Sequence, residues 1–263
     1  MRLKDKTIIV TGSTTGIGKA IALRAASEGA RILVHGRDEK GGLAVVEEIG
    51  TDRAVLHLDD LSDPASAQRL VDACLDAYGQ IDAIVNNAAY VASSDIKTTD
   101  EDLLHDVFSV NTFTPFLLTK VALPHLQKRK GTVLNIGSIN AWSGEPNLLA
   151  YSMSKGAMMT MTRNLGDALF RDYGVRVNQI NPGWILTEKE IERKRSHGLS
   201  EDWYRELPAM YAPSGRIFWP EEIAAAVIYW LSDECGPVSG QVMDLEQFPM
   251  IGRNAPKDTS TIN

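Results

Sequence analysis

Short β-branched runs and helix-length amphipathic stretches alternate along almost all of the 263-residue chain, and this alternation constrains the fold more than any other feature. The first run, Thr7-Ile8-Ile9-Val10, is apolar after its threonine and leads at once into glycines. That is the composition of a strand covered on both faces of a parallel sheet, where neither face meets water. Ile17, Ala20, Ile21, Leu23 and Ala25 then fall at helical spacing as far as Glu28, with Gly29 as a stop. The rhythm continues with a strand at 32–34, a shorter helix that 45–49 closes at Gly50, a strand at 54–58 and a helix from Pro64 to Tyr78. A strand at 83–85 precedes a helix over 101–123, in which Pro115 predicts a kink. A strand at 131–136, a long helix over 150–173, a strand at 175–180, a helix over 220–231 and a strand near 241–245 complete the series. Such alternation predicts an α/β fold, a doubly wound parallel seven-stranded sheet with helices on both faces.

Composition narrows what such a sheet serves. With 27 basic and 34 acidic residues the formal charge is -7, so the basic face that nucleic acid requires is not expected. The Arg193-Lys194-Arg195 cluster reads as a solvated helix end. Cys74 and Cys235 have no Cys or His partner at ligand spacing, so neither a metal site nor a disulfide framework is expected. No apolar run approaches the ~18 residues of a membrane helix, and the first six residues lack a secretory pattern. The expectation is a cytoplasmic, globular protein.

Thr11-Gly12-Ser13-Thr14-Thr15-Gly16-Ile17-Gly18 joins the first strand to the first helix. Glycines there let the chain turn tightly and let a pyrophosphate reach the N–H groups of the helix start. A glycine-rich turn alone is weak evidence, but this one sits between a strand and a helix, the context that gives it meaning. The fold expected is therefore of Rossmann type, a single dinucleotide-binding and catalytic domain over 1–253. The polar, proline-containing interval 184–219 interrupts the rhythm and reads as a substrate lid. The tail 254–263 fits no element.

The glycines are spaced G-x-x-x-G-x-G behind Thr11, and with further motifs in matching order the chain resembles the short-chain dehydrogenase/reductase superfamily. Those motifs are Asn86-Asn87-Ala88, Asn111, Ser138, Tyr151 with Lys155, and Pro182-Gly183. The resemblance implies hydride transfer between a nicotinamide dinucleotide and an alcohol or carbonyl, with Asn111, Ser138, Tyr151 and Lys155 as the catalytic set. Tyr151 and Lys155 are four apart and share one face of a helix. A free tyrosine has a pKa of ~10, and a neighbouring ammonium favours its phenolate. Lys155 is accordingly expected to lower the Tyr151 pKa and to hold the nicotinamide ribose. Ser138 is expected to bind the substrate oxygen, and Asn111 to hold a water linking Lys155 to solvent. The cofactor set implied is Gly12, Ser13, Thr14, Thr15, Gly16, Ile17, Gly18, Arg37, Asp60, Leu61, Asn87, Ala88, Tyr151, Lys155, Pro182, Gly183, Ile185 and Thr187.

NAD-preferring relatives carry an acidic residue at the end of the second strand, to hold the ribose hydroxyls. That slot here is Gly36, and the next residue is Arg37, whose guanidinium suits a 2′-phosphate. NADP(H) is therefore the expected cofactor, with NAD(H) the other candidate. Asp38 is a rival for the ribose, although it reads better as a helix cap. Asp60-Leu61 matches the adenine-contacting position, with a helix-initiating turn capped by Asp63 as the alternative. Thr187 matches a carboxamide contact or an ordinary N-cap.

Asn140, Trp184, Ser138 and Tyr151 are the expected substrate-binding residues. Together with Trp142, Glu145, Glu188, Trp203 and Tyr204 they suggest a small polyol, sugar acid or cyclic hydroxy compound. A 3-oxoacyl-carrier-protein reductase and a non-catalytic NADP-binding regulator are the alternatives. Relatives commonly form homotetramers through the helices after the fourth and fifth strands, so a homotetramer or homodimer is expected. Two departures stand out: Ala89 where a glycine is usual, and Asp244-Leu245-Glu246 where Asp-Gly-Gly is common.

Overall fold

A computed structural model of the chain describes residues 1–251. The tail 254–263 and the last two residues of the expected domain lie outside the described residues. The strands are β1 (Thr7–Val10), β2 (Arg31–Gly36), β3 (Ala54–Leu58), β4 (Ala83–Asn86), β5 (Thr132–Ile136), β6 (Arg176–Pro182) and β7 (Val242–Leu245). They form one seven-stranded sheet in the order β3-β2-β1-β4-β5-β6-β7, every adjacent pair parallel. The order reverses between β1 and β4, so the crevice for a ligand opens beyond the carboxyl ends of those two strands.

The helices are α1 (Gly16–Ser27), α2 (Glu39–Ile49), α3 (Ser66–Tyr78), α4 (Glu101–Phe108), α5 (Thr114–Arg129), α6 (Asn140–Ser143), α7 (Leu149–Tyr173), α8 (Glu188–Ser196) and α9 (Pro220–Leu231). Side chains alternate across a strand. Ile8 and Val10 thus enter one core with α1, α2 and α9, while Ile9 enters the other with α3, α5 and α7. Cys74 and Cys235 are buried free thiols in these cores. No helix of the described residues is long and apolar enough to cross a membrane.

Several expected boundaries shift. Helix α2 begins at Glu39 and closes at Gly50, with Asp38 as the expected N-cap, accepting from Gly41 N at 3.1 Å. Its early turns carry Gly41 and Gly42, weak helix formers. A Cβ on Gly42 would lie 2.4 Å from Leu56 Cδ1, so the glycine lets Leu56 of β3 pack close against the helix. Helix α3 starts at Ser66, two residues after Pro64. The long helix expected over 101–123 is two helices, α4 and α5, joined by a π-helical turn at Ser109–Phe113. Pro115 lies in the first turn of α5, directly after this π turn, where the hydrogen-bond pattern changes. Helix α6 was not expected at all. Within 184–219, α8 and a 3₁₀ turn at Trp203–Arg205 surround a small core of Leu186, Trp203, Ala212 and Ile217.

Candidate active site

The loop after β1 is shaped by backbone contacts that leave no space for side chains. Gly12 has φ +64°, and a Cβ there would lie 2.8 Å from Ala88 Cα. A Cβ on Gly18 would lie 2.2 Å from Gly12 O. Thr11 Oγ1 accepts from the backbone N–H groups of Asn87 and Ala88, at 3.0 and 3.1 Å. Asn87 Nδ2 donates back to Thr11 O at 2.8 Å. Asn87 and Ala88 thus brace the loop from below. Ser13 Oγ donates to Val10 O at 2.7 Å, and His35 Nδ1 accepts from Gly12 N at 3.2 Å. Burial, and next the neighbouring His57, push the His35 pKa down to about 4, keeping the imidazole neutral and able to accept. The sequence did not single out His35, since a polar residue in a strand carries no pattern of its own.

Thr15 precedes α1 in extended conformation and gives it no side-chain cap. The first-turn N–H groups therefore point into a loop lined by Gly12, Gly16 and Gly18, which suits a pyrophosphate. Ile17 packs on the core under this loop. The residues present fit a dinucleotide.

Tyr151 and Lys155 stand one turn apart on α7, the Lys155 ammonium 5.6 Å from the centre of the Tyr151 ring. Lys155 is buried, and its Nζ donates to Ile136 O at 2.7 Å, at the carboxyl end of β5. Ser138 follows β5, and its Oγ accepts from Asn140 N at 3.1 Å. The expectation that Lys155 lowers the tyrosine pKa is corrected here. Burial pushes the Tyr151 phenol up to about 12, although a hydrogen bond with Ser138 draws it back, and the Glu145 carboxylate adds to the rise. Burial also pushes the Lys155 ammonium down to about 7. Burial is the largest cause of both shifts, because removal from water disfavours the charged form of each group.

Asn111 is fully buried on the π turn, and its side chain is tied to Tyr90 and Ser154. Its Oδ1 accepts from Tyr90 N at 2.7 Å, and its Nδ2 donates to Tyr90 O at 3.0 Å and to Ser154 Oγ at 2.9 Å. Ser154 Oγ donates in turn to Tyr151 O at 2.7 Å. Asn111 therefore braces the turn of α7 that carries Tyr151. Ser154 was not foreseen.

At the far end of the crevice, Gly36 is explained by Thr14, whose Cγ2 would lie 2.6 Å from a Cβ there. Arg37 is 76% exposed and its Nη1 lies 3.2 Å from Asp60 Oδ2. Asp60 Oδ1 also accepts from Ser62 N at 2.9 Å, while Asp63 Oδ1 accepts from Ala65 N at 3.0 Å ahead of α3. Leu61 is buried in the second core and its carbonyl accepts from Thr114, so its side chain packs inward. Pro182 ends β6, and a Cβ on Gly183 would lie 2.0 Å from the Glu246 carboxylate. Ile185 is buried in the first core, and Thr187 caps α8, accepting from Glu190 N at 3.1 Å.

The other wall is made of α6 and the segment 184–219. Trp184 stacks on Trp203, with ring centres 5.1 Å apart. Its Nε1 donates to Glu190 Oε1 at 2.8 Å, so its polar end is spent within the segment. Arg193 reaches the same Glu190 through two bonds of 2.8 Å, and Lys194 lies 4.9 Å from the Trp184 ring centre. The basic cluster is thus partnered, not merely solvated.

Dinucleotide-dependent oxidoreductases are the class that this sheet edge defines. The chain belongs to the short-chain dehydrogenase family, whose profile matches residues 6–197. It is 35% identical to the NADP-dependent (R)-specific alcohol dehydrogenase of Lentilactobacillus kefiri, over 89% of this chain and 92% of that one. It is also 35% identical to glucose 1-dehydrogenase 2 of Bacillus subtilis, over 92% and 93%. Among solved structures, the NADH complex of 3-ketoacyl-(acyl-carrier-protein) reductase from Brucella melitensis superposes with a TM-score of 0.79 at 26% identity, covering 92% of this chain and 97% of that one. The protein is an NAD(P)-dependent oxidoreductase acting on CH–OH groups.

Proposed function

We propose that the chain interconverts a small polar alcohol and its ketone with NADP(H), Tyr151 moving the proton. The observation that carries this reading is the Tyr151 phenol beside Ser138, which draws its pKa down, with the Lys155 ammonium 5.6 Å from the ring centre. The glycine loop and the first turn of α1 hold the pyrophosphate, Arg37 and Asp60 face the adenosine end, and Thr187 with Ile185 borders the nicotinamide. When bound, the cofactor supplies or accepts the hydride at the substrate carbon.

The chain's own residues manage the oxygen. A phenol pushed up to about 12 is protonated near neutrality and is ready to donate. In reduction the carbonyl oxygen takes the Tyr151 proton as its carbon gains the hydride, giving the CH–OH product and a phenolate. Ser138 Oγ donates a hydrogen bond to that oxygen as charge develops, and the Lys155 ammonium stabilises the phenolate. In oxidation the phenolate removes the hydroxyl proton. Asn111 acts through Ser154 to hold the Tyr151 turn. The segment 184–219 serves as the lid over the substrate, which Asn140 and Trp184 border.

NADP(H) is favoured over NAD(H) by the pairing of a side-chain-free Gly36 with Arg37, and by the NADP-dependent relative. A small hydroxy compound is favoured by relatives named for alcohol, glucose and L-fucose. The solved 3-ketoacyl-carrier-protein reductase supports a second reading, a carrier-bound 3-oxoacyl substrate. Exposed Phe113, Phe116 and Met153, on the helices after β4 and β5, support a homotetramer or homodimer. The two free thiols fit a cytoplasmic setting.

The test is a panel of D-glucose, L-fucose, gluconate, simple ketones and acetoacetyl thioester, followed by NADPH absorbance with wild type and Tyr151→Phe. We expect the polyhydroxy or simple ketone substrates to turn over, and Tyr151→Phe to lower kcat by about 10²–10⁴. A thioester turned over far faster than the rest selects the second reading, and full turnover by Tyr151→Phe removes the proton-transfer assignment.

A further inference from the structure

The strand end that departs from the family pattern, Asp244-Leu245-Glu246, is tied to the wall of the site. Asp244 lies in β7, and its carboxylate accepts from Trp142 Nε1 at 2.9 Å on Oδ1 and 3.0 Å on Oδ2. The same Oδ1 accepts from Asn181 Nδ2 at 2.9 Å. Asn181 is fully buried in β6, and its Oδ1 accepts from the backbone N–H of Ser138 at 3.2 Å and from Gln179 Nε2 at 2.7 Å. The packing around this amide is tight, since a Cβ on Gly137 would lie 2.1 Å from Asn181 Oδ1. The Arg163 guanidinium lies 5.3 Å from the centre of the Trp142 ring and adds a further restraint on the indole.

One carboxylate therefore fixes both ends of the segment 138–142. It holds Ser138 through Asn181 and Trp142 directly. Between these points Asn140 N donates to Ser138 Oγ at 3.1 Å and sets the direction of the hydroxyl. An ionised carboxylate only accepts hydrogen bonds, and both groups that face it are donors. An asparagine in its place would turn an NH₂ group toward one of them.

We propose that Asp244 is a positioning residue for the Ser138 hydroxyl, acting through Asn181 at one end of the segment and Trp142 at the other. This role rests on the reading that Ser138 binds the substrate oxygen. It gives Trp142 a function as a strap between α6 and β7, one that its place on the wall alone does not supply.

The experiment compares Asp244→Asn, Trp142→Phe, Ser138→Ala and the Ser138→Ala/Asp244→Asn double variant, with the fastest substrate of the panel above. For each, kcat, KM, NADPH affinity and Tm are measured. A misplaced reacting group costs about a hundredfold in rate per ångström, so Asp244→Asn is expected to lower kcat roughly ten- to hundredfold, with KM and NADPH affinity little changed. Trp142→Phe removes only the indole N–H and is expected to act in the same direction more weakly. It carries the test if Asp244→Asn does not fold. In the Ser138→Ala background the Asp244→Asn change is expected to cost nothing more, because the hydroxyl it positions is already gone. An unchanged kcat in Asp244→Asn, or an equal loss in both backgrounds, overturns the positioning role. Full turnover by Ser138→Ala overturns instead the reading on which that role rests.

Discussion

The loop after β1 and the segment 184–219 border the same edge of the sheet and are built on opposite principles. The loop is specified by backbone against backbone. Gly12 meets Ala88, and Gly18 meets Gly12 O at a distance that no larger residue can share. The segment is specified by side chains against side chains. Trp184 stacks on Trp203, Glu190 gathers the Trp184 indole and Arg193, and Leu186, Ala212 and Ile217 close a core separate from the two on the faces of the sheet. A site of this kind can keep one cofactor while its substrate changes, because the substrate side can be repacked without disturbing the nucleotide side.

The strongest attempt to break this contrast is Gly18→Ala. A methyl group at 2.2 Å from Gly12 O cannot be accommodated without moving the loop. We expect loss of NADPH binding by at least about a hundredfold, with a lowered Tm, since forcing a methyl into this packed contact costs ~1–3 kcal/mol on top of the lost contacts. Isothermal titration and a thermal melt measure both. Binding within error of wild type would mean that the loop tolerates side chains after all, and the two regions would then differ less than their packing suggests.

Lys155→Met sharpens the boundary between the regions, where cofactor and substrate meet. Reduction is expected to slow as pH rises through about 7, where the buried ammonium loses its proton and the phenolate its partner. In Lys155→Met the rate should be about 10²-fold lower and lack that limb. Stability moves the other way. The folded amine titrates near 7 and the unfolded one near 10.5, so between these values the folded chain holds fewer protons and gains stability with rising pH. Below about 7 the whole cost of the buried charge remains. That cost exceeds the ~1–3 kcal/mol of leaving Ile136 O without its donor, so the variant should melt higher than wild type. The gap in Tm should be widest below pH 7 and shrink above it. A variant that melts lower at pH 6 would show that the lysine is a net structural support.

The same contrast explains what the sequence could reveal. Strands β1 and β3 and helix α9 fall where the apolar pattern puts them, because periodicity and flanking breakers are local signals. The glycine loop, Ser138, Tyr151 and Lys155 were legible for a similar reason: each is a residue type at a fixed offset from an element. The π turn was not, since the apolar face of α4 and α5 continues through it almost unbroken and only the hydrogen bonds change. Asn111 was identified, but its bonds to Tyr90 and Ser154 join segments far apart in the chain and no spacing encodes them. The segment 184–219 was read as an interruption, because Leu186, Trp203, Ala212 and Ile217 meet only after folding. Asp244 drew no attention beside the departing Leu245 and Glu246 for the same reason, since its bonds to Trp142 and Asn181 join distant segments.

Trp203→Ala probes the other side of the comparison. It empties the centre of the small core, where truncating a large aromatic costs ~3–5 kcal/mol locally. Because that core is separate from the sheet's two cores, the main melting transition should hardly move and NADPH affinity should stay at the wild-type value. KM for the fastest panel substrate is expected to rise roughly tenfold as the wall loosens. A large fall in the main Tm would mean that the segment and the sheet fold as one unit.

Arg37→Ala should give the smallest effect, and it tests whether the nucleotide side reads its ligand by shape or by charge. The guanidinium stands 76% exposed, held toward the crevice by Asp60 at 3.2 Å. An exposed charge contributes at most ~1 kcal/mol, so NADPH affinity is expected to fall about fivefold at low salt, and by less at high salt as screening grows. NADH affinity should not change, because Arg37 has no 2′-phosphate to meet. The backbone cradle is common to both cofactors, so equal losses for NADPH and NADH would place Arg37 in the support of the loop. Unchanged affinity for both would leave the preference to the shape around Gly36, where Thr14 already fills the space that an acidic side chain would need.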